Sequence, residues 1–159
     1  MVDFAKRNGY VFKGTTTGVR TLKIDGTDER FELLQLFEFD SNRKRMSVIV
    51  RESSGLIKLY VKGADSVIKE RLSKNIPQKF LAKTETYVEN FSLKGLRTLL
   101  VAMKVLTEEE YTVIHDKVYS VIEATNRDDK ISKLPLKTTV LIVYPIQRRS
   151  LKRLRLISH

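Results

Sequence analysis

The side chains of this sequence with the clearest chemical potential are one aromatic ring and several long cations, spread over three separate stretches. Phe39 is followed by Arg43, Lys44, Arg45 and Met46. Lys62 stands in Tyr60-Val61-Lys62-Gly63-Ala64-Asp65, and Arg97 in Lys94-Gly95-Leu96-Arg97-Thr98-Leu99. Taken singly, each has an ordinary explanation: Phe39 as core, Lys62 as a solvated strand residue, Arg97 as a surface ion-pair partner. Taken together, they supply what a purine nucleotide requires. An aromatic face stacks on a base for about 1 to 3 kcal/mol. A Lys on a pocket floor donates to ring acceptors while its stem packs on the base, and an Arg offers a planar fork matching phosphate oxygens.

Other chemistries find less support. Gly14-Thr15-Thr16-Thr17-Gly18 falls short of the phosphate-cradling glycine loop in spacing and lacks its Lys, so it reads as a turn. There is no nucleophile elbow and no His-Glu-x-x-His, and Glu108 to Glu110 suit a helix start better than an acid-base pair. His115 and His159 are too far apart to suggest a metal site, and the absence of Cys rules out disulfides and thiolate metal sites. That absence agrees with a reducing compartment.

The net charge of +11 invites a nucleic acid, an anionic membrane or a nucleotide as partner. Its distribution narrows the choice. Arg148, Arg149, Lys152, Arg153 and Arg155 crowd the end of the chain without an intervening acid, leaving the body only moderately basic. A chain of 159 residues fits one domain, and its 42% hydrophobic and 31% charged residues are those of a globular protein in water. No apolar run approaches the roughly 18 residues of a membrane span, and the charged start is unlike a signal peptide.

The elements that must position Phe39, Lys62 and Arg97 are legible from periodicity. A helix end over Val2 to Asn8 stops at Gly9, and Tyr10 to Phe12 and Val19 to Ile24 read as strands, with Asp25-Gly26 as a hairpin turn. Phe31 to Phe39, Arg45 to Arg51 and Leu56 to Lys62 follow as strands; Met46, Val48 and Val50 face one way, Ser47, Ile49 and Arg51 the other. Asp65 or Ser66 can cap a helix to about Lys74, and Phe80, Leu81, Thr84, Tyr87, Val88 and Phe91 make one face of a helix from Pro77 to about Leu93. Arg97 to Val105 reads as a central strand, Thr107 to Glu110 as a capping box opening a helix to about Asn126, and Thr138 to Tyr144 as one further strand. The expected fold class is α+β, an antiparallel β-sheet of about six strands with flanking helices.

Three ordered stretches carry a family resemblance: Glu38 to Val50, Tyr60 to Ile68 and Leu93 to Leu99. Together they resemble the nucleotide-binding domain of P-type ATPases. Arg43-Lys44-Arg45-Met46-Ser47-Val48 with Lys62-Gly63-Ala64-Asp65-Ser66-Val67-Ile68 is similar more narrowly to the phospholipid-translocating subfamily, the lipid flippases, and Val2 to Phe12 fits that subfamily too. The resemblance covers about residues 2 to 125. It implies that Phe39 stacks on adenine, Lys62 lines the adenine pocket, Lys44 and Met46 lie along its wall, Ser41 lies near the ribose or phosphates, and Arg97 meets the phosphates. Gly63 belongs to the same set, and Glu38 is expected to orient the turn. Cations on the turn after Phe39 would meet the triphosphate.

The departures are equally definite. An acidic residue that contacts the adenine amino group in the family would fall before Met1, and the phosphorylated Asp, the magnesium motifs and the membrane helices are not in this sequence. The expectation is a domain over residues 1–130, truncated at its N-terminal edge, within a longer membrane-embedded pump. Residues 131–159 are expected to be a divergent or non-native basic tail that holds at most one strand and is then disordered. The expected ligand is ATP, with magnesium held elsewhere in the parent, and the expected partners are the phosphorylation and actuator domains of the same parent chain. The fragment should be a soluble monomer on the cytoplasmic side that binds ATP without hydrolysing it. The competing reading is a basic module that binds nucleic acid or anionic lipid through its Arg-rich tail. An autonomous enzyme has no converging nucleophile, base or metal cluster to support it.

Overall fold

The computed structural model describes residues 2–122 and 140–146. Its strands are β1 (Tyr10–Thr16), β2 (Val19–Ile24), β3 (Thr27–Asp40), β4 (Arg45–Glu52), β5 (Ile57–Gly63), β6 (Arg97–Leu106) and β7 (Val140–Ile146). All seven pair antiparallel in a single sheet whose spatial order is the order of the chain. The helices are α1 (Val2–Arg7), α2 (Asp65–Lys69), α3 (Gln78–Leu93) and α4 (Glu108–Ile122). The α+β architecture with flanking helices is therefore as the alternation requires. The strand expected near Thr138 to Tyr144 is β7, the seventh member of the sheet.

Side-chain alternation explains where the core lies. Along β5, Ile57, Leu59, Val61 and Gly63 are buried while Lys58, Tyr60 and Lys62 are half-buried. Ser47, Val61 and Ala102 share one cross-strand row, and with Ile49 and Leu100 they line one face. Ile68 of α2, Val88 of α3 and Val118 of α4 all join that cluster, so these three helices cover the same face. Each fully buried aliphatic side chain there contributes about 1.5 to 3 kcal/mol. The opposite face carries Met46, Val48, Tyr60, Lys62, Val101 and Met103, all only half-buried.

The helix ends obey local chemistry. Thr107 Oγ1 accepts the amide of Glu110 at 3.2 Å and a Glu110 carboxylate oxygen accepts the amide of Thr107 at 3.2 Å, the reciprocal capping box expected from Thr107-Glu108-Glu109-Glu110. Gly95, at φ +69, ends α3 in the left-handed conformation, with the amide of Leu96 donating to the carbonyl of Phe91 at 2.9 Å.

Several expectations need correction. The turn read over Gly14 to Gly18 is confined to Thr17 and Gly18: β1 runs on to Thr16 past a register irregularity between Phe12 and Gly14, because the β-branched threonines extend the pairing with β2. The helix expected to reach Lys74 stops at Lys69, and neither Asp65 nor Ser66 caps it; Ala64 holds the cap position without a side-chain bond. Beyond Lys69 the chain makes three-residue turns, and Ser73 Oγ accepts the amide of Asn75 at 3.2 Å, the local bonding by which Ser and Asn compete with helix. The basic stretch from Arg148 to Arg155 and the helix end near Asn126 lie outside the described residues. Among the described residues no helix is long and apolar enough to cross a membrane.

Candidate nucleotide site

The end of β3 is built by a bulge and a tight turn. Phe37 pairs with Ser47 and Asp40 with Arg45, so Glu38 and Phe39 together oppose the single residue Met46. Asp40 then folds the chain back. Its Oδ1 accepts the amides of Asn42 at 2.9 Å and Arg43 at 2.8 Å, and its carbonyl accepts the amide of Lys44 at 2.7 Å. This is turn chemistry of the kind Asp, Ser and Asn favour. Lys44 sits at φ +50, in the left-handed region. Hydrogen bonds on both sides hold it there, since its carbonyl accepts the amide of Ala64 at 3.1 Å.

Gly63 makes that last contact possible. A Cβ at position 63 would lie 2.6 Å from the Lys44 carbonyl oxygen and 2.7 Å from the Arg45 Cβ. Gly63 is buried on the helix-covered side, so it spaces β5 against the turn through backbone contact.

Arg45 stands on the core side with only 6% of its surface exposed, and from the pair it makes with Asp40 the alternation turns Phe39 to the other side. Lys62 lies directly opposite Met46 on β4 and Val101 on β6. Along β6, Leu100 and Ala102 are buried, so Arg97, Leu99 and Val101 face the side of Lys62. Phe39, Met46, Lys62 and Arg97 thus occupy one face, opposite α2, α3 and α4, and one end of the sheet. The backbones of Phe39 and Lys62 are two strands apart, about 10 Å, and Arg97 lies about 13 Å along β6 from the Lys62 row. Phe39 is 64% exposed. Lys62 is half-buried, and burial alone lowers its ammonium pKa from the ordinary value.

The remaining candidates separate. Ser41 and Lys44 are exposed on the turn, while Glu38 is exposed at the bulge and its carbonyl accepts a bond from Arg43 Nη2. The cationic run does not point one way. Arg43 is 9% exposed, and Arg45 donates to the Arg43 carbonyl at 3.2 Å. The pKa of Arg45 is lowered to about 10 by burial first, then by the nearby charges of Arg71 and Arg43, with Asp40 opposing. Of the three consecutive cations only Lys44 is exposed. Asp40 is a residue of the site that sequence reasoning missed, as is the turning of Arg43 back onto the Glu38 carbonyl. The available signals were the Asp40-Ser41-Asn42 turn, which folds Arg43 back, and the two-residue alternation that sets Arg45 on the side of Ser47 and Ile49.

Among the described residues no three His, Cys, Asp or Glu side chains gather as a metal ion would require. The described residues therefore offer no donor set that fits magnesium by itself.

Residues 1–135 match the family model of the P-type ATPase cytoplasmic domain N. The chain belongs to this family. It is 45% identical over 111 residues to a phospholipid-transporting ATPase of Schizosaccharomyces pombe, covering 70% of this chain and 9% of that relative. It is 38% identical over 135 residues to phospholipid-transporting ATPase IC of Homo sapiens, covering 84% of this chain and 11% of the relative. Phospholipid-transporting ATPase DNF1 of Chaetomium thermophilum is 39% identical over 137 residues, 84% of this chain and 9% of its own length. The chain thus spans about a tenth of the length of the curated relatives it matches.

Proposed function

We propose that this N domain binds ATP and presents its γ-phosphate to an aspartate on a separate domain of a longer phospholipid-translocating pump. The observation that carries the proposal is the shared face and shared sheet end of Phe39, Lys62 and Arg97, three residues distant in sequence. Phe39 offers an exposed ring for the adenine, and Met46 extends the apolar wall beside it. Lys62 donates to the base from its half-buried position, where low local polarity strengthens each hydrogen bond. Arg97, farther along β6, reaches the phosphates with a bidentate fork. Ser41 and Lys44 border the ribose and phosphates from the turn. Glu38 and Gly63 act through the backbone they shape.

The relatives named as phospholipid-transporting ATPases support the choice of pump. In that parent the phosphorylation and actuator domains are the working partners, the membrane is reached through transmembrane helices of the parent, and this domain lies on the cytoplasmic side. Alone, the domain binds nucleotide without turnover, because phosphoryl transfer needs the acceptor aspartate and magnesium ligands of the parent.

Titrating ATP into the 159-residue chain while following backbone amide shifts tests the proposal. Shifts centred on Phe39, Lys62 and Arg97, little changed by chelating magnesium, are the expected result. Binding that Phe39→Ala leaves untouched refutes the site.

A further inference from the structure

The bulge at the end of β3 has a feature that the cationic character of the segment conceals. Between Phe37 and Asp40 the ladder to β4 is interrupted, which takes Glu38 and Phe39 out of regular pairing. Arg43 reaches back five residues, and its Nη2 donates to the Glu38 carbonyl. That carbonyl belongs to the peptide plane that carries the amide of Phe39, so the bond fixes the backbone from which the ring projects. The Phe39 ring is 64% exposed and gains little orientation from packing. Arg43 is itself held, because its amide donates to Asp40 Oδ1 at 2.8 Å and its carbonyl accepts from Arg45 Nη1 at 3.2 Å. With 9% of its surface exposed, its guanidinium is spent on the chain rather than on solvent.

We propose that Arg43, braced by Asp40, is a positioning residue that locks the Glu38–Phe39 bulge and so sets the base-stacking ring, and that it makes no contact with phosphate. The inference rests on the nucleotide reading above and deepens it, since it assigns one member of the cationic run to the adenine end of the ligand.

Two measurements on the 159-residue chain separate this role from a phosphate contact and from general stability. In the ligand-free protein, Arg43→Ala should lower the amide order parameter of Phe39 from the value of about 0.85 typical of rigid backbone, with β5 and β6 unaffected. In titrations, Arg43→Ala should weaken adenosine and ATP by the same factor, about fivefold. It should have no further effect once Phe39→Ala is present. Asp40→Asn, which keeps the Oδ1 acceptor, should bind adenosine like the parent chain. If Arg43→Ala does not fold, Arg43→Met, which keeps the buried stem but has no donor, replaces it and should weaken adenosine and ATP by the same factor. Loss of ATP with adenosine spared, losses additive with Phe39→Ala, or an unchanged Phe39 order parameter each overturn the proposal. Should the parent chain bind no adenosine, the nucleotide reading fails, while the order parameter still decides whether Arg43 holds the bulge.

Discussion

The carbonyl oxygen of Lys44 stands 2.6 Å from the point where a Cβ on residue 63 would lie, and it accepts the amide of Ala64 at 3.1 Å. A methyl group at Gly63 must therefore displace backbone rather than a flexible side-chain tip. Gly63→Ala is expected to cost about 1 to 3 kcal/mol, as overpacking of a close contact does. It should also weaken ATP, because the displaced turn carries Lys44 and adjoins Phe39. Urea denaturation with parallel ATP titration checks both effects, and an unaltered midpoint would contradict the close packing.

Phe39→Ala separates binding from stability. The ring is 64% exposed, so its removal should change folding free energy by no more than about 0.5 kcal/mol. The lost stacking should weaken ATP by about tenfold or more. Calorimetric titration and a thermal melt on the same sample read the two effects.

Lys62 should show the reverse relation. Burial lowers its pKa below the ordinary 10.5, so the unfolded chain holds that proton more tightly than the folded one. The charged ammonium then opposes folding at neutral pH. The penalty is fully present below the folded-state value and disappears as pH rises to 10.5. Lys62→Met should melt higher than the parent chain at pH 7, and the gap should close as the buffer becomes strongly alkaline. The same variant should bind ATP more weakly. Melting curves across an alkaline pH series test the sign, which a gap that widens with pH would reverse.

Thr107→Ala removes the hydroxyl that accepts the Glu110 amide and should cost about 1 kcal/mol. Thr107→Ser, which keeps the oxygen, should restore most of it. Because α4 contributes Val118 to the core, the loss should register in global denaturation rather than as local fraying.

Much of this architecture was legible because its signals are local. The alternation of Ile57, Leu59 and Val61 against Lys58, Tyr60 and Lys62 needs only the two-residue strand period, and the Thr107–Glu110 box and the Gly95 stop need one turn of chain. The length of α2 was not legible, since Ser73 and Asn75 choose between helix and turn according to tertiary context. Continuation of β1 through the threonines depended on β2 arriving to pair with them. At the candidate site, Phe39, Lys62 and Arg97 were marked by residue type, but the division of labour among Arg43, Lys44 and Arg45 was not. Three adjacent cations look equivalent as charges. The strand period that makes Ile49 a core residue also carries Arg45 inward, and the Asp40 turn draws Arg43 back onto Glu38.

The sheet's plain succession of neighbours has an evolutionary corollary. Because every strand lies beside the one that precedes it in the chain, lengthening a hairpin tip leaves the order of strands intact and adds only a slowly growing closure cost. Decoration at the connections is therefore cheap. Excision of β5 is not: it would part the strand bearing Phe39 from the strand bearing Arg97 and take Lys62 with it.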